Sequence, residues 1–543
     1  MKNKYPTFFR FVSIGFILLF IFSISYTLTK NISFSQKSDT RILPSEKPME
    51  TVSLSNGDSY NLDAKPIFKN INGKNMEMLS YNGSIPGPLI KVKQNSEIII
   101  NLRNSTQFNT TLHPHGVRVE NSSDGTELTQ DEITPGQSHL YKLKFPDVGV
   151  FFYHPHVRED YEQNLGMYGG FIVEPQYPNY WSPVNKEETL FLNDLLLDNK
   201  GIVLYGKDFA NYSLMGRYGN TFLINGKSDY NININQGDVV RFNIINTSNA
   251  RPYNFAIPNV KLKLVGSDNG KYEKEELHDS IIITPSERYI VEAIFDKSGN
   301  YQISNVTPTK ITKLGNITVS NVQTVKSYDK EFKILRSNED VTEQMKIVRQ
   351  HMGVNPDKTL SLFISMESMM NLPGINQGQM DSMGMMMSME GSNNIVIKPE
   401  LKKYFVNEND ANNIEWEDPD ITLNASSTSN LTNWQLQDQS TGDINENVNW
   451  KFNKGDKVQI RFFNIPDSGH PMQHPIHIHG QKFAILSVNN IENKNLVWKD
   501  TVDVETGATV DILVVMDNPG KWMIHCHNSE HFASNMKINF EVN

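Results

Sequence analysis

Of its 543 residues the chain has a single cysteine, Cys526, so no disulfide can form within it and folding does not depend on an oxidising compartment. It has no basic block: 51 Lys and Arg stand against 61 Asp and Glu, a net charge of -10 spread along the chain, which argues against nucleic acid as a partner. Long apolar runs are almost absent. Hydrophobic residues make up 38% and mean hydropathy is -0.45, enough to fill buried cores but too little for a polytopic membrane protein. Long helical periodicity is scarce as well, and the length allows three to four domains at about 150 residues each.

The one long apolar run lies at the N-terminus. Lys2, Lys4 and Arg10 precede an uncharged stretch over residues 11–29, with Phe-Ile-Leu-Leu-Phe-Ile-Phe at its centre. A basic flank leading into an apolar segment is an export signal. The run approaches the ~20 residues that span a bilayer, while Ser23-Ile24-Ser25 offers a small-x-small cleavage site. Residues 1–30 therefore read as a signal peptide or a membrane anchor, with 31–55, rich in Ser, Lys and Asn, as a tether. The positive flank places the rest of the chain outside the cytoplasmic membrane, anchored or secreted.

The body is made of short alternating apolar and polar runs punctuated by Gly, Pro, Asn and Asp, the pattern of β-sandwiches. One unit recurs three times as a turn, a strand and an Asn: residues 95–104, 237–246 and 455–464, ending in Asn104, Asn246 and Asn464. A second element follows each copy, beginning at Gly149, Gly299 and Gly520 and placing His154, Ser304 and His525 five residues later. The chain thus reads as three homologous β domains, residues 56–180, 181–335 and 336–543. The first and third carry histidine chemistry, and the middle one is a spacer.

Ten of the fourteen histidines fall in four short motifs: His113-Pro114-His115, His154-Pro155-His156, His474-Pro475-Ile476-His477-Ile478-His479, and His525-Cys526-His527 continuing to His531. In a strand, residues i and i+2 share a face, so each His-x-His presents two imidazoles side by side. Structural zinc sites usually close with several cysteines; one soft thiolate among imidazoles points to copper. His525 and His527 face one side of their strand and Cys526 the other, so one tripeptide touches two metal centres. His531 and Met536 return an imidazole and a thioether to the thiolate side, and with His474 they complete a blue-copper set. The other eight histidines form the second centre.

These motifs resemble those of the multicopper oxidases, the family of laccases, cuprous oxidases and ferroxidases, from about residue 60 to the end. The resemblance implies an all-β chain of three cupredoxin-like Greek-key sandwiches behind the N-terminal segment, and four copper ions as cofactors. His474, Cys526, His531 and Met536 would hold the type 1 copper, and His113 and His477 the type 2 copper. His115, His154, His156, His479, His525 and His527 would hold the type 3 pair, between the first and third domains. Single electrons from the substrate would enter at the type 1 copper and pass through Cys526 to the cluster, where dioxygen is reduced to water.

The reduction also consumes protons, and Asp124, followed by Gly125, matches the position where related enzymes place a carboxylate near the cluster; an Asp-Gly turn is the plainer reading. Many relatives carry a second acid directly after the later type 1 histidine. Here that residue is Phe532, and Glu530 precedes His531 instead, which leaves the second proton-relay group open.

Nine of the 21 methionines crowd into residues 366–389: Met366, Met369, Met370, Met380, Met383, Met385, Met386, Met387 and Met389. Thioethers are soft ligands for Cu(I), and the stretch resembles the methionine-rich insert of bacterial cuprous oxidases. The spacing of Met366, Met369 and Met370 also fits a short core-facing helix. The reading is an exported oxidase that couples oxidation of Cu(I), or of small phenols and aromatic amines, to reduction of dioxygen. Its alternatives are a laccase with no metal-oxidase role and a non-catalytic copper-binding envelope protein.

Overall fold

The computed structural model describes residues 43–365, 396–406 and 411–543. Residues 1–30, the first part of the tether and the whole methionine-rich stretch lie outside them. Among the described residues no helix is long and apolar enough to cross a membrane.

Each repeat closes two facing sheets over its own apolar core. The first unit pairs a five-stranded sheet with a four-stranded one, and the second and third each pair a six-stranded with a five-stranded sheet. The recurrent Asn explains itself in this setting. Asn104, Asn246 and Asn464 are fully buried at the ends of strands Glu97–Asn104, Val239–Asn246 and Lys457–Asn464. Each donates its side-chain amide to two backbone carbonyls, those of Phe108 and Ile133, Arg251 and Ile283, and Met472 and Val504. Buried carbonyls left without donors would be costly, so one Asn per domain ties a loop to the opposite sheet. The residue opening each copy, Asn95, Gly237 or Gly455, has φ of 66°, 86° or 93°, the left-handed turn that Asn and Gly tolerate.

The second repeated element is an inner strand of the five-stranded sheet: Gly149–His154, Gly299–Val306 and Gly520–Cys526. It lies beside His113–His115, Tyr253–Ala256 and His474–Ile478 respectively. The middle domain therefore keeps the strand pair, with Phe255 opposite Asn305 and Ala256 opposite Ser304, where the outer domains align histidines.

Two boundaries differ from the sequence reading. The end of the expected tether is already folded: Thr51–Leu54 pairs in parallel with Leu89–Lys93, its alternating Val52 and Leu54 covering the sheet edge, and Glu46 N–H donates to the Phe68 carbonyl at 2.9 Å. Leu401, Tyr404 and Trp416, from the third unit, pack against Ala256 and Val306 of the middle domain.

The first and third domains meet directly. Arg118 bridges Asp147 and Asp517 at 2.6 and 2.9 Å, Lys482 reaches Asp147 at 2.7 Å, and Asn518 donates to the Val119 carbonyl at 2.8 Å. The histidine strands lie at this seam.

Candidate metal centres

Strand Gly520–Cys526 and the residue after it divide their side chains between two sites. On one side Cys526 Sγ lies 3.6 Å from His474 Nδ1 and 3.8 Å from His531 Nδ1, and the two Nδ1 atoms are 3.3 Å apart. His474 comes from the neighbouring strand and His531 from the short helix Ser529–Ala533. All three are fully buried, as is Met536, whose carbonyl accepts the Cys526 N–H at 3.1 Å. The Trp434 ring covers His531 and His474 with centroids at 4.1 and 4.9 Å, and the Asn528 N–H points at Cys526 Sγ from 3.4 Å.

Burial pushes the Cys526 thiol up and pulls His474 down to about 3, with His531 well below its usual range. A buried thiol whose proton loss is disfavoured, facing two neutral imidazole lone pairs, suits a soft cation that replaces the proton.

On the other side the eight remaining motif histidines converge. Their ligand atoms form trios whose members lie within 4.8 Å of one another: His115, His154 and His527; His156, His479 and His525; and His113, His115 and His477. The six residues expected to hold a metal pair thus fall into two groups of three, each drawing on both domains, and the expected pair His113 and His477 sits together beside His115.

Hydrogen bonds decide which nitrogen faces inward. A carbonyl only accepts, so the ring nitrogen beside it carries the proton and the opposite one is bare. His113, His154, His477 and His525 donate Nδ1–H to the carbonyls of Asp124, Pro155, Asp500 and Cys526 at 2.8–2.9 Å. His479 donates Nδ1–H to Asp124 Oδ2 at 3.0 Å. All five therefore aim Nε2 at the centre. His115 is reversed: its Nε2 faces Asp500 Oδ1 at 3.1 Å, and Nδ1 has no partner.

Nε2 of His113, His154 and His477 is likewise buried and unpartnered, as are both ring nitrogens of His527, while His156 has carboxylates beside both of its nitrogens, Glu159 Oε1 at 3.3 Å and Glu127 Oε2 at 3.8 Å. His479 Nε2 and His525 Nε2 stand 3.0 Å apart, two bare lone pairs that repel unless a cation lies between them. Burial holds His115, His154, His479, His525 and His527 all well below the usual imidazole range. This is a donor set for several closely spaced metal ions.

Two carboxylates bracket the cluster, each tying a histidine of the first domain to one of the third. Asp124 holds His113 and His479; Asp500 holds His115 and His477. Burial opposes ionisation of Asp124, but the His479 and His113 imidazoles outweigh it and keep its carboxyl well below the usual range. The turn reading also holds, because a β-carbon on Gly125 (φ 78°) would lie 1.9 Å from the Leu112 carbonyl.

Phe532 stacks its ring edge on the cluster, 4.8 Å from His156 and from His525. The acid on this side is Glu159, which sequence reasoning missed: its Oε1 lies 3.3 Å from His156 Nε2 and burial holds it well above the usual range. Glu159, Asp160 and Glu162, three acids within four positions just past His156, were the available signal. Asp500 was missed as well. Glu530 faces away from the cluster, accepting the Asn249 amide at 2.8 Å. The methionines of 366–389 lie outside the described residues.

Sequence profiles of the family described as multicopper oxidase match residues 65–178, 189–329 and 413–543. The chain is 25% identical over 529 residues to a multicopper oxidase of Staphylococcus aureus, covering 94% of both, and 25% identical to Laccase-6 of Arabidopsis thaliana, covering 86% of this chain and 88% of that one. Among solved structures, a multicopper oxidase from Campylobacter jejuni, titled a metallo-oxidase, shares the fold with a TM-score of 0.63 at 22% identity, over 94% of this chain and 99% of that one. A laccase-like multicopper oxidase from Ochrobactrum sp. gives 0.66 at 20% identity, over 91% of this chain and all of the other. With profile matches in all three sandwiches and the thiolate and imidazole sets in the outer two, the chain belongs to the multicopper oxidase family and is an oxidoreductase.

Proposed function

We propose that this protein is exported and uses four copper ions to oxidise Cu(I), and small phenols or aromatic amines, at the expense of dioxygen. The observation that carries the reading is the continuity of His525-Cys526-His527, in which one covalent segment supplies a ligand atom to the thiolate trio and to two imidazole trios. These donors would hold copper, which would supply one-electron chemistry on the thiolate side and dioxygen reduction on the imidazole side. The protein's own part is to hold Cys526 between two imidazoles and to fix the proton of six of the eight cluster histidines away from the centre. Asp124 and Asp500 keep the two domains in register around that centre, and Glu159, whose buried carboxyl is held well above its usual range 3.3 Å from His156, is placed to supply a proton.

Cu(I) as substrate is favoured by the nine thioethers of residues 366–389. The metallo-oxidase title of the Campylobacter jejuni protein is consistent with it, as the laccase name of the Arabidopsis relative is with phenol oxidation. The test loads the full chain and a chain lacking residues 366–389 with copper, checks blue colour and metal content in both, and follows oxygen uptake with Cu(I) and with a phenol. Loss of Cu(I) oxidation with phenol oxidation spared is the expected result. Survival of both activities would make the segment a lid or packing element and would move the laccase reading ahead. A fully metallated protein with neither would be a copper-binding envelope protein. Export through residues 1–30 is checked by cell fractionation, where a wholly cytosolic product would overturn it.

A further inference from the structure

We propose that Arg288, supplied by the middle domain, is a positioning residue of the imidazole cluster: its two-pronged grip on Asp500 keeps the inward nitrogens of His115 and His477, Nδ1 and Nε2, free of protons for the metal ions these residues would hold. The inference rests on the copper reading above and assigns the supposed spacer domain a part in it.

Arg288 opens strand Arg288–Ile294 of the middle domain and is fully buried. Its Nη1 donates to Asp500 Oδ1 at 2.6 Å and its Nη2 to Asp500 Oδ2, the planar fork-on-fork pairing that fixes a carboxylate's plane as well as its position. Nε donates to the Val150 carbonyl in the first domain at 2.9 Å, and Nη1 also reaches the Ser286 carbonyl at 3.1 Å. One guanidinium thereby joins all three domains. The Arg288 N–H donates to Asp268 Oδ1 at 2.9 Å, so the base of the side chain is held too.

Asp500 gains its direction from this grip. Asn269 donates to Oδ2 at 2.9 Å, which leaves Oδ1 toward His115 Nε2 at 3.1 Å and Thr501 Oγ1 at 3.0 Å. With Oδ1 fixed there, His115 must carry its proton on Nε2 and present a bare Nδ1. A carboxylate free to turn would leave His115 Nε2 only the Thr501 hydroxyl at 3.2 Å, a group that donates as well as accepts, and the ring could then present an N–H where a lone pair is needed. His477 depends on the same residue through the Asp500 carbonyl, 2.9 Å from its Nδ1.

The backbone of the first domain makes room for the pair. Gly116, directly after His115, has φ 78°, and a β-carbon there would lie 2.3 Å from Asp500 Oδ2 and 2.7 Å from Arg288 Nη2. Glycine at this point allows the ion pair to pass beneath the motif, and no other residue would.

The thiolate site makes no contact with Arg288, so it serves as an internal control. The full chain and its Arg288→Met and Arg288→Lys variants are loaded with copper. Metal content, blue absorption, the type 2 electron paramagnetic resonance signal and thermal melting are measured on each. The expected result for Arg288→Met is undiminished blue absorption per chain with a type 2 signal reduced at least about tenfold, the scale of losing an outer-shell partner. Arg288→Lys, which keeps the charge but grips with one prong, falls between.

An unchanged type 2 signal in Arg288→Met overturns the proposal, as does equal loss of both signals, which would make the residue a fold element. If Arg288→Met does not fold, Arg288→Lys decides: a weakened type 2 signal beside intact blue supports positioning, and wild-type behaviour or failure to fold refutes it. A wild type that shows neither signal sinks the copper reading and this inference with it.

Discussion

Glu530 precedes a ligand of the thiolate site yet does not serve it. Fully buried, it accepts one hydrogen bond from Asn249 through Oε1 while Oε2 has no partner. Burial, then the neighbouring Asp160 carboxylate, pushes its carboxyl up from 4.5 to about 8. Replacing it by Gln removes the ionisation and keeps the shape. The sign follows from proton linkage. Below about pH 4.5 the acid is neutral folded and unfolded, so ionisation contributes nothing to the difference between variant and wild type. Between pH 4.5 and 8 the unfolded chain has lost the proton that the folded chain keeps, and wild-type stability falls by about 1.4 kcal/mol per pH unit.

Across the 3.5 units separating 4.5 from 8 the loss accumulates to about 5 kcal/mol and then levels off. The Gln amide still needs an acceptor that the Oε2 side does not show, which subtracts about 1–3 kcal/mol at every pH. Melting of the copper-free protein at pH 5, 7 and 9 is the assay. The stability of Glu530→Gln relative to wild type is expected to rise from pH 5 to about 8 and then to level off. A constant difference, or one that shrinks as pH rises, would refute the assignment of a neutral buried acid. Oxygen turnover of the loaded variant is expected to stay within about twofold of wild type, because Glu530 touches neither the cluster nor the thiolate.

Asp124→Asn keeps an acceptor for His479 but removes the charge that anchors it and His113. Oxygen reduction is expected to fall about 10- to 100-fold with the blue absorption intact, and unchanged turnover across pH would refute a role at the cluster. Cys526→Ser abolishes the blue absorption and donor oxidation while leaving the type 2 signal, read by absorption and paramagnetic resonance on one sample; a surviving blue band would place the thiolate elsewhere. Glu159→Gln keeps copper content and slows oxygen consumption most at high pH, where a proton from solvent is scarcest; a pH profile parallel to wild type would exclude Glu159 as a donor.

Much of this was legible because the chemistry lies on strands. A two-residue period puts His113 with His115, and Cys526 opposite His525 and His527, and these can be read without knowing the fold, whereas His156 lies past the end of the strand that His154 closes and joins a different trio. The repeated Asn was legible as a pattern but not as a cause, since its acceptors belong to loops and strands 4 to 40 residues away. The groups that orient the ligands were not legible at all. Asp500 meets His115 across 385 positions and Arg288 across 212, contacts made by domain docking that leave no local period. The folded end of the tether was missed for a related reason: Thr51–Leu54 is a strand only because Leu89–Lys93 offers an open edge.

The middle domain shows why three copies of one unit are retained when only two hold metal ligands. The imidazole trios need strands from two domains brought edge to edge, and the seam between the first and third domains rests on a few ion pairs around Asp147. The two domains are separated by some 150 residues of chain, and a flexible linker of that length would leave their relative orientation free. A rigid sandwich replaces it. Once such a unit must be there, its own buried groups can work at the seam: Arg288 reaches the cluster's carboxylate, and Leu214 and Met215 pack into the core that encloses Cys526. Loss of imidazoles at Ala256 and Ser304 is then a division of labour, since metal ligands at a third strand pair would have no facing domain to complete them.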